Sequence, residues 1–293
     1  MSQAPLTYED VLDRFLAWAR PRPDVRAVMV VGSRARTDHP ADAFSDLDLV
    51  VVTTDPDRYL SETDWLEPLG THWLTFLERK AVGEGLERRV LFEGALDVDF
   101  VPLANEAIRR MALEGLPPEL AAVLRRGFNL ALDKDDLLSL LTGGVPATTP
   151  SSAPPPTQEE FLALCHDFLY HAVWAAKKLR RGELWIAKSC ADGYMKQLLL
   201  GMIELHARSE RGWDHDTWHG GRFLEEWADP GALDGLREAF AYYEDADVRR
   251  ALLITMDLFR RIGRETAARL GCAYPEEADE RVTEWVVGLL GPA

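Results

Sequence analysis

The segment VMVVGSRARTDHPADAFSDLDLVVV, residues 28–52, is the most informative stretch in the first half of the chain. Two apolar runs rich in β-branched residues, 25–31 and 47–53, flank a polar stretch. Short apolar runs bounded by turn residues are typical of buried strands. The segment therefore predicts a strand, a loop and a second strand, with Gly32 ending the first strand and Asp46 preceding the second.

The turn after the first strand has the composition of a phosphate-binding site. Gly32 has no side chain, so the backbone can approach a ligand closely, and Ser33 offers a hydroxyl and an N–H to phosphate oxygens. The sequence contains neither the G-x-x-x-x-G-K-[ST] pattern of the P-loop nor a G-x-G-x-x-G after a strand. Those two classes of nucleotide-binding protein are therefore excluded.

Two pairs of aspartates supply candidate metal ligands. Asp46 and Asp48 are two residues apart, so both carboxylates lie on the same face of a strand. Such neighbours repel each other unless a divalent cation neutralises them, and hard oxygen ligands suit Mg²⁺. A second pair, Asp97 and Asp99, lies in LDVDFVPL, residues 96–103. If the two strands are neighbours, three carboxylates converge and can hold two metal ions for in-line displacement at phosphorus, which indicates nucleotidyl or phosphoryl transfer.

The surrounding pattern predicts two domains and an α+β fold. A capping box at Thr7 begins a helix, residues 71–77 form a third strand, and the runs on either side of Glu93 form a hairpin. The first half is thus a small mixed β-sheet with helices. The tract GGVPATTPSSAPPPT, residues 143–157, cannot pack a core. Apolar residues after it recur at the spacing of a helical bundle, with a second capping box at Thr157 and helices over about 184–207 and 233–243 among others. The expected boundaries are 1–143 for the first domain, 144–157 for the linker and 158–293 for the all-α second domain.

The amino-acid composition favours some classes of binding partner and cellular location over others. The 293 residues include 33 Lys and Arg against 49 Asp and Glu, a net charge of −16. This charge disfavours nucleic acid and favours polycationic small molecules or proteins as partners. Three scattered cysteines make no disulfide framework. The beginning of the sequence does not read as a signal peptide, and no apolar stretch is long enough to span a membrane. We expect a cytoplasmic protein, with a monomer favoured.

The segment with Gly32, Ser33, Asp46 and Asp48 resembles the signature of the DNA polymerase beta-like nucleotidyltransferase superfamily. Within it, the chain is similar to aminoglycoside 6-adenylyltransferases, also called streptomycin adenylyltransferases. The likeness extends through three further segments, and so over nearly the whole chain: LDVDFVPL (96–103), CHDFLYHAVWAAKKLRRGELWIAKSCAD (165–192) and MDLFRRIGRETAARLGCAYPEEAD (256–279). The resemblance implies Mg²⁺-dependent transfer of AMP from ATP to a hydroxyl of streptomycin, with release of pyrophosphate, at a cleft between the two domains.

The resemblance also implies roles for single residues. Asp46, Asp48 and Asp97 would bind the metal and act in catalysis, with Asp97 as the third acid that also orients or deprotonates the attacking hydroxyl. Two Mg²⁺ ions are expected. Asp99 would be a further carboxylate near the metal or a substrate contact. The remaining implied contacts are to ATP phosphates and pyrophosphate (Gly32, Ser33, Arg34, Lys188) and to the substrate (Trp185, Lys177).

Two other functions stay open at this point. The first is a nucleotidyltransferase of the same superfamily with another acceptor, such as a different antibiotic, a protein or a tRNA end, as in toxin–antitoxin systems. The second is a nucleotide-binding relative without catalytic activity. The acidic composition argues against tRNA, and the joint presence of Gly32, Ser33, Asp46, Asp48 and Asp97 argues against a decayed site.

Overall fold

Residues 5–80, 83–143 and 154–291 are described by the computed structural model. The chain divides into two units, Met1–Thr149 and Pro150–Ala293. The expected linker, 144–157, lies outside the described residues except for 154–157, which have no regular secondary structure. Within the described ranges, no helix is both long enough and apolar enough to span a bilayer.

The first unit is built on a six-stranded sheet with the order β3-β4-β5-β2-β1-β6. Its strands are β1 (Val25–Val31), β2 (Leu47–Thr53), β3 (His72–Arg79), β4 (Leu86–Phe92), β5 (Leu96–Ala104) and β6 (Asn129–Asp133). Strands β2 and β5 run parallel, whereas the other neighbours are antiparallel. The sheet is therefore mixed, as predicted. The sequence did not predict β6, whose five residues are too few to show a period.

Five α-helices accompany the sheet in the described residues: α1 (Tyr8–Ala19), α2 (Pro56–Ser61), α3 (Asn105–Glu114), α4 (Pro118–Arg126) and α5 (Leu137–Thr142). The predicted capping box begins α1, since Thr7 and Asp10 exchange backbone and side-chain hydrogen bonds. Helix α1 buries Val11 and Phe15 completely against one face of the sheet, within a core that also contains Phe100. This packing fixes α1 beside β5.

The second unit is entirely helical in its described part. Its α-helices are α6 (Gln158–Arg180), α7 (Leu184–Ser189), α8 (Met195–Arg211), α9 (Leu224–Trp227), α10 (Pro230–Ala239), α11 (Asp245–Leu270) and α12 (Glu276–Leu290). A π-helical turn, Cys190–Tyr194, joins α7 to α8 where the periodicity predicts one continuous helix. The α+β fold with a helical second unit is confirmed.

One predicted helix, 233–243, is displaced towards the N-terminus. Helix α10 begins at Pro230 because the Asp229 carboxylate accepts a hydrogen bond from the Ala232 N–H, and proline suits the first helical position. It ends at Ala239, since Phe240 is extended.

Candidate active site

Two neighbouring parallel strands bring the predicted aspartates together. The register of β2 and β5 places Leu47 opposite Val98 and Asp48 opposite Asp99. Because side chains alternate along a strand, the two acids of β5 and the acids at the start of β2 share one face of the sheet. The two D-x-D motifs therefore converge, as the sequence predicted for neighbouring strands.

The tightest group of carboxylates consists of Asp46, Asp48 and Asp99. One oxygen from each lies within 4.8 Å of the others. Asp97, which the sequence analysis assigned as the third metal ligand, is outside this group of three. It nevertheless lies close enough to Asp46 for the two carboxylates to repel each other. Partial burial raises the pKa of Asp97 above its ordinary value, and the repulsion from Asp46 adds to this effect, whereas Arg89 opposes it.

Arg89 is a partner of the site that the sequence analysis missed. It lies opposite Asp99 on β4, and its Nη2 is 3.0 Å from Asp99 Oδ2. The same guanidinium also pairs with Glu78 at 2.6 Å and Glu87 at 3.4 Å. One guanidinium thus pairs with three carboxylates, so it neutralises the negative charge of Asp99 only in part.

Asp99 is the most deeply buried acid of the group, with 3% of its surface exposed. Its Oδ1 has no hydrogen-bond partner among the described residues. Burial raises the pKa of Asp99 to about 7, and repulsion from Asp48, Asp97 and Glu87 adds to this effect, whereas Arg89 opposes it. A buried carboxylate oxygen without a donor is costly unless a cation binds it.

The Gly32–Ser33 turn closes the site from the end of β1. Gly32 has φ +70°, and a Cβ built there would lie 2.0 Å from Asp48 Oδ2. The Asp48 carboxylate therefore occupies the space that any other residue at position 32 would need. Ser33 is 8% exposed, and within the described part of the chain its buried Oγ has no hydrogen-bond partner. The turn thus holds a buried hydroxyl without a partner at the residue after the glycine that the Asp48 carboxylate approaches.

These features fit a hard divalent cation. The donor set is made of carboxylate oxygens, which Mg²⁺ prefers to nitrogen or sulfur ligands. Two members of this carboxylate group have unusual surroundings. Asp99 Oδ1 has no hydrogen-bond partner among the described residues, and the Asp48 carboxylate lies close to the Gly32 backbone. Asp46, Asp48 and Asp99 are therefore the residues that could hold the metal.

We expect Gly32→Ala to lower activity at least about a hundred-fold, because displacing a reacting group by about 1 Å can cost that much. The methyl group would displace the Asp48 carboxylate as well as strain the backbone. Gly83→Ala is a matched control, since Gly83 has φ +74° and no described atom lies within 4 Å of the place that its new methyl group would take. Equal losses of activity in the two variants would show that backbone strain, and not the displaced carboxylate, is responsible.

We expect Asp99→Asn to stabilise the metal-free protein, increasingly so as the pH rises. The pKa of Asp99 is about 7 in the folded protein against 3.8 for an ordinary aspartate, so rising pH ionises the unfolded chain first and penalises folding until about pH 7. The gain in melting temperature over wild type, measured in EDTA, should be larger at pH 8 than at pH 5. An equal gain at both pH values would contradict the assigned environment.

Comparison with known proteins identifies the family of this chain. The model of the family described as "Streptomycin adenylyltransferase" matches residues 6–289. The chain belongs to this family. It is therefore a nucleotidyltransferase enzyme, and the resemblance drawn from the sequence motifs is confirmed.

Similar proteins include two aminoglycoside 6-adenylyltransferases. The one from Bacillus subtilis (strain 168) is 23% identical over 289 residues, covering 96% of this chain and 97% of the relative. The one from Campylobacter jejuni is 24% identical over 284 residues, covering 95% and 94%. A crystal structure of an aminoglycoside 6-adenyltransferase from Bacillus subtilis matches with a TM-score of 0.46 at 18% identity, covering 98% of this chain and all of that one (100%).

In this member of the streptomycin adenylyltransferase family, the Arg34 side chain binds other residues of the protein. Its Nε donates to the Asp46 carbonyl at 3.0 Å, and its Nη2 donates to the Ser45 carbonyl at 2.9 Å. The Nη1 atom lies 3.6 Å from a carboxylate oxygen of Glu9. Contact with ATP phosphates stays a prediction for Arg34, whereas the observed bonds hold the loop that leads into β2.

The other predicted contacts lie in the helical unit. Lys188 pairs with Asp192 of the π-helical turn and donates to the Ala241 carbonyl at 2.6 Å. Trp185 is 69% exposed. Lys177 lines a pocket of about 400 Å³ together with Trp174, Trp285 and several other side chains. Roles in binding pyrophosphate or substrate stay predictions for these residues.

Proposed function

We propose that this enzyme transfers AMP from ATP to a hydroxyl group of an aminoglycoside, with streptomycin as the first candidate, and releases pyrophosphate. The observation that carries the proposal is the group of three carboxylates, Asp46, Asp48 and Asp99, beside the turn formed by Gly32 and Ser33. The names of the family and of its relatives supply the acceptor class.

The carboxylates divide into metal ligands and a proton acceptor. Asp46, Asp48 and Asp99 would hold Mg²⁺, which when bound would offset the charge of the triphosphate, and a second ion would need Asp97 as well. Asp97 is only half-buried and stands next to Asp46. It is the carboxylate that would accept the proton from the attacking hydroxyl, as its raised pKa suits a general base better than an ordinary aspartate.

The bonds that change are those at the α-phosphorus of ATP. The acceptor oxygen forms a new bond to this phosphorus, the bond to the β-phosphate oxygen breaks, and Asp97 takes the hydroxyl proton. The Ser33 hydroxyl and the backbone N–H groups of the turn would orient phosphate oxygens. Lys188 would neutralise the departing pyrophosphate, and Trp185 and Lys177 would contact the substrate, as the resemblance implies.

The charge of the protein supports a cationic acceptor. With a net charge of −16, the surface attracts polycations and repels nucleic acid. We infer a small cationic antibiotic and ATP as partners, a cytoplasmic location and a monomer.

The test is to incubate the purified protein with Mg²⁺ and ATP and with streptomycin, spectinomycin, kanamycin or lincomycin in turn, and to follow product mass. We expect an AMP adduct on streptomycin. An adduct on another drug would make that drug, rather than streptomycin, the acceptor. AMP found only on protein or RNA would indicate a different acceptor class, and binding of ATP without any product would indicate a protein without catalytic activity.

A further inference from the structure

The Arg34 side chain binds the backbone of the loop that carries Asp46. The guanidinium donates to two consecutive carbonyls, Ser45 and Asp46, and more weakly to Asp42 at 3.4 Å. Its side chain is 16% exposed. A planar guanidinium fork that donates to several carbonyls fixes their direction more strictly than an ammonium group does. The position of the Asp46 carboxylate therefore depends on where Arg34 lies.

Tyr8 holds Arg34 in place from helix α1. The guanidinium carbon lies 3.8 Å from the centre of the Tyr8 ring, which is the geometry of a cation–π contact. Tyr8 is 7% exposed and is the first residue of α1, directly after the capping residue Thr7. Because the capping box fixes this end of the helix, the ring offers Arg34 a rigid surface.

The hydroxyl group of the same tyrosine reaches the other aspartate pair. The N–H of Asp97 donates to the Tyr8 oxygen at 3.2 Å. Tyr8 thus contacts the β5 backbone through its hydroxyl and the loop before β2 through its ring and Arg34. A single side chain therefore connects the two segments that carry the aspartate pairs.

We propose that Tyr8 and Arg34 are positioning residues that set the distance between Asp46 and Asp97. Neither residue needs to touch substrate to do so. The inference rests on the proposed function for its catalytic consequence, but its structural consequence concerns only how the carboxylates are placed. Arg34 acts on the metal ligand Asp46, whereas the Tyr8 hydroxyl acts on the proton acceptor Asp97.

The two residues are expected to give different signatures when changed conservatively. Arg34→Lys keeps the charge but loses the planar fork of donors. The affinity for Mn²⁺, measured by electron paramagnetic resonance, should therefore fall about ten-fold, which is within the range seen when groups that support a metal ligand are removed. Tyr8→Phe keeps the ring under Arg34 but loses the hydroxyl. It should lower kcat about ten-fold, with Mn²⁺ affinity and the KM for ATP unchanged.

Matched controls come from the same unit. Tyr59→Phe removes a buried hydroxyl that bonds to Asp24, and Arg26→Lys alters an arginine paired with Asp135. Both should leave Mn²⁺ affinity and kcat at wild-type values, and melting temperatures are compared for all four variants.

Three outcomes would overturn the inference. The first is that Arg34→Lys and Tyr8→Phe behave like their controls. The second is that Arg34→Lys raises the KM for ATP without weakening Mn²⁺ binding, which would make Arg34 a phosphate contact. The third is a wild-type protein that does not bind Mn²⁺. If the wild type binds Mn²⁺ but transfers AMP to no acceptor, the proposed function fails while the Arg34 result on Mn²⁺ still decides its positioning role.

Discussion

Replacing Asp48 with asparagine is expected to lower AMP transfer on the order of a thousand-fold or more, because it removes one of the proposed ligands of a metal ion that would stabilise charge at the phosphorus. Asp48 lies opposite Asp99 in the sheet and beside the Gly32 backbone, so it stands at the centre of the carboxylate group. The change keeps the size of the side chain. Mn²⁺ affinity should fall together with activity.

The control for Asp48→Asn is Asp57→Asn, which removes an exposed acid on α2 of the same unit. We expect this variant to retain wild-type activity and Mn²⁺ affinity. Loss of the fold does not account for the expected effect, since removing one of several mutually repelling carboxylates relieves repulsion. A melting temperature at or above that of the wild type would establish this. Near-normal transfer by Asp48→Asn would remove this carboxylate from the mechanism.

Replacing Asp97 with asparagine is expected to reduce kcat by about 10²–10⁴-fold, the usual contribution of a general base. The reason differs from that for Asp48, because Asp97 lies outside the tightest carboxylate group. The expected signature is therefore a loss of transfer with Mn²⁺ affinity changed little. Single-turnover measurements at saturating Mg²⁺ and ATP would isolate the chemical step.

The contrast between Asp97→Asn and Asp48→Asn tests the division of roles within the site. If Asp97→Asn loses Mn²⁺ affinity as strongly as Asp48→Asn does, Asp97 is a metal ligand, as the sequence resemblance implies. If it keeps both affinity and activity, it takes no part in the reaction. Only a selective loss of activity supports the role of Asp97 as proton acceptor.

Much of the first unit could be predicted from local sequence. The strands 25–31 and 47–53 have the predicted bounds, and the hairpin around Glu93 is present as β4 and β5. The capping boxes at Thr7 and Thr157 begin α1 and α6. These features depend on residues within a few positions of each other, so their signals survive in the sequence whatever the rest of the chain does.

The second unit shows where local periodicity fails. It predicts helices well but not their interruptions, such as the π-helical turn of Cys190–Tyr194. That turn contains Asp192, which pairs with Lys188 and lies 3.7 Å from the ammonium group of the buried Lys196. Both lysines lie four residues from Asp192, so the two ion pairs follow from helical spacing, whereas an apolar pattern along the helix does not reveal the turn itself.

Local sequence patterns identify the candidate residue types: a glycine-serine turn, a D-x-D motif at a strand start and a second acidic strand. Which of those acids meet depends on tertiary contacts. Alternation along a strand predicts the face on which a carboxylate lies, but the register of β5 against β2 depends on pairing between segments that are distant in sequence. That register places Asp99 beside Asp48, and packing of β4 and α1 adds Arg89 and Tyr8.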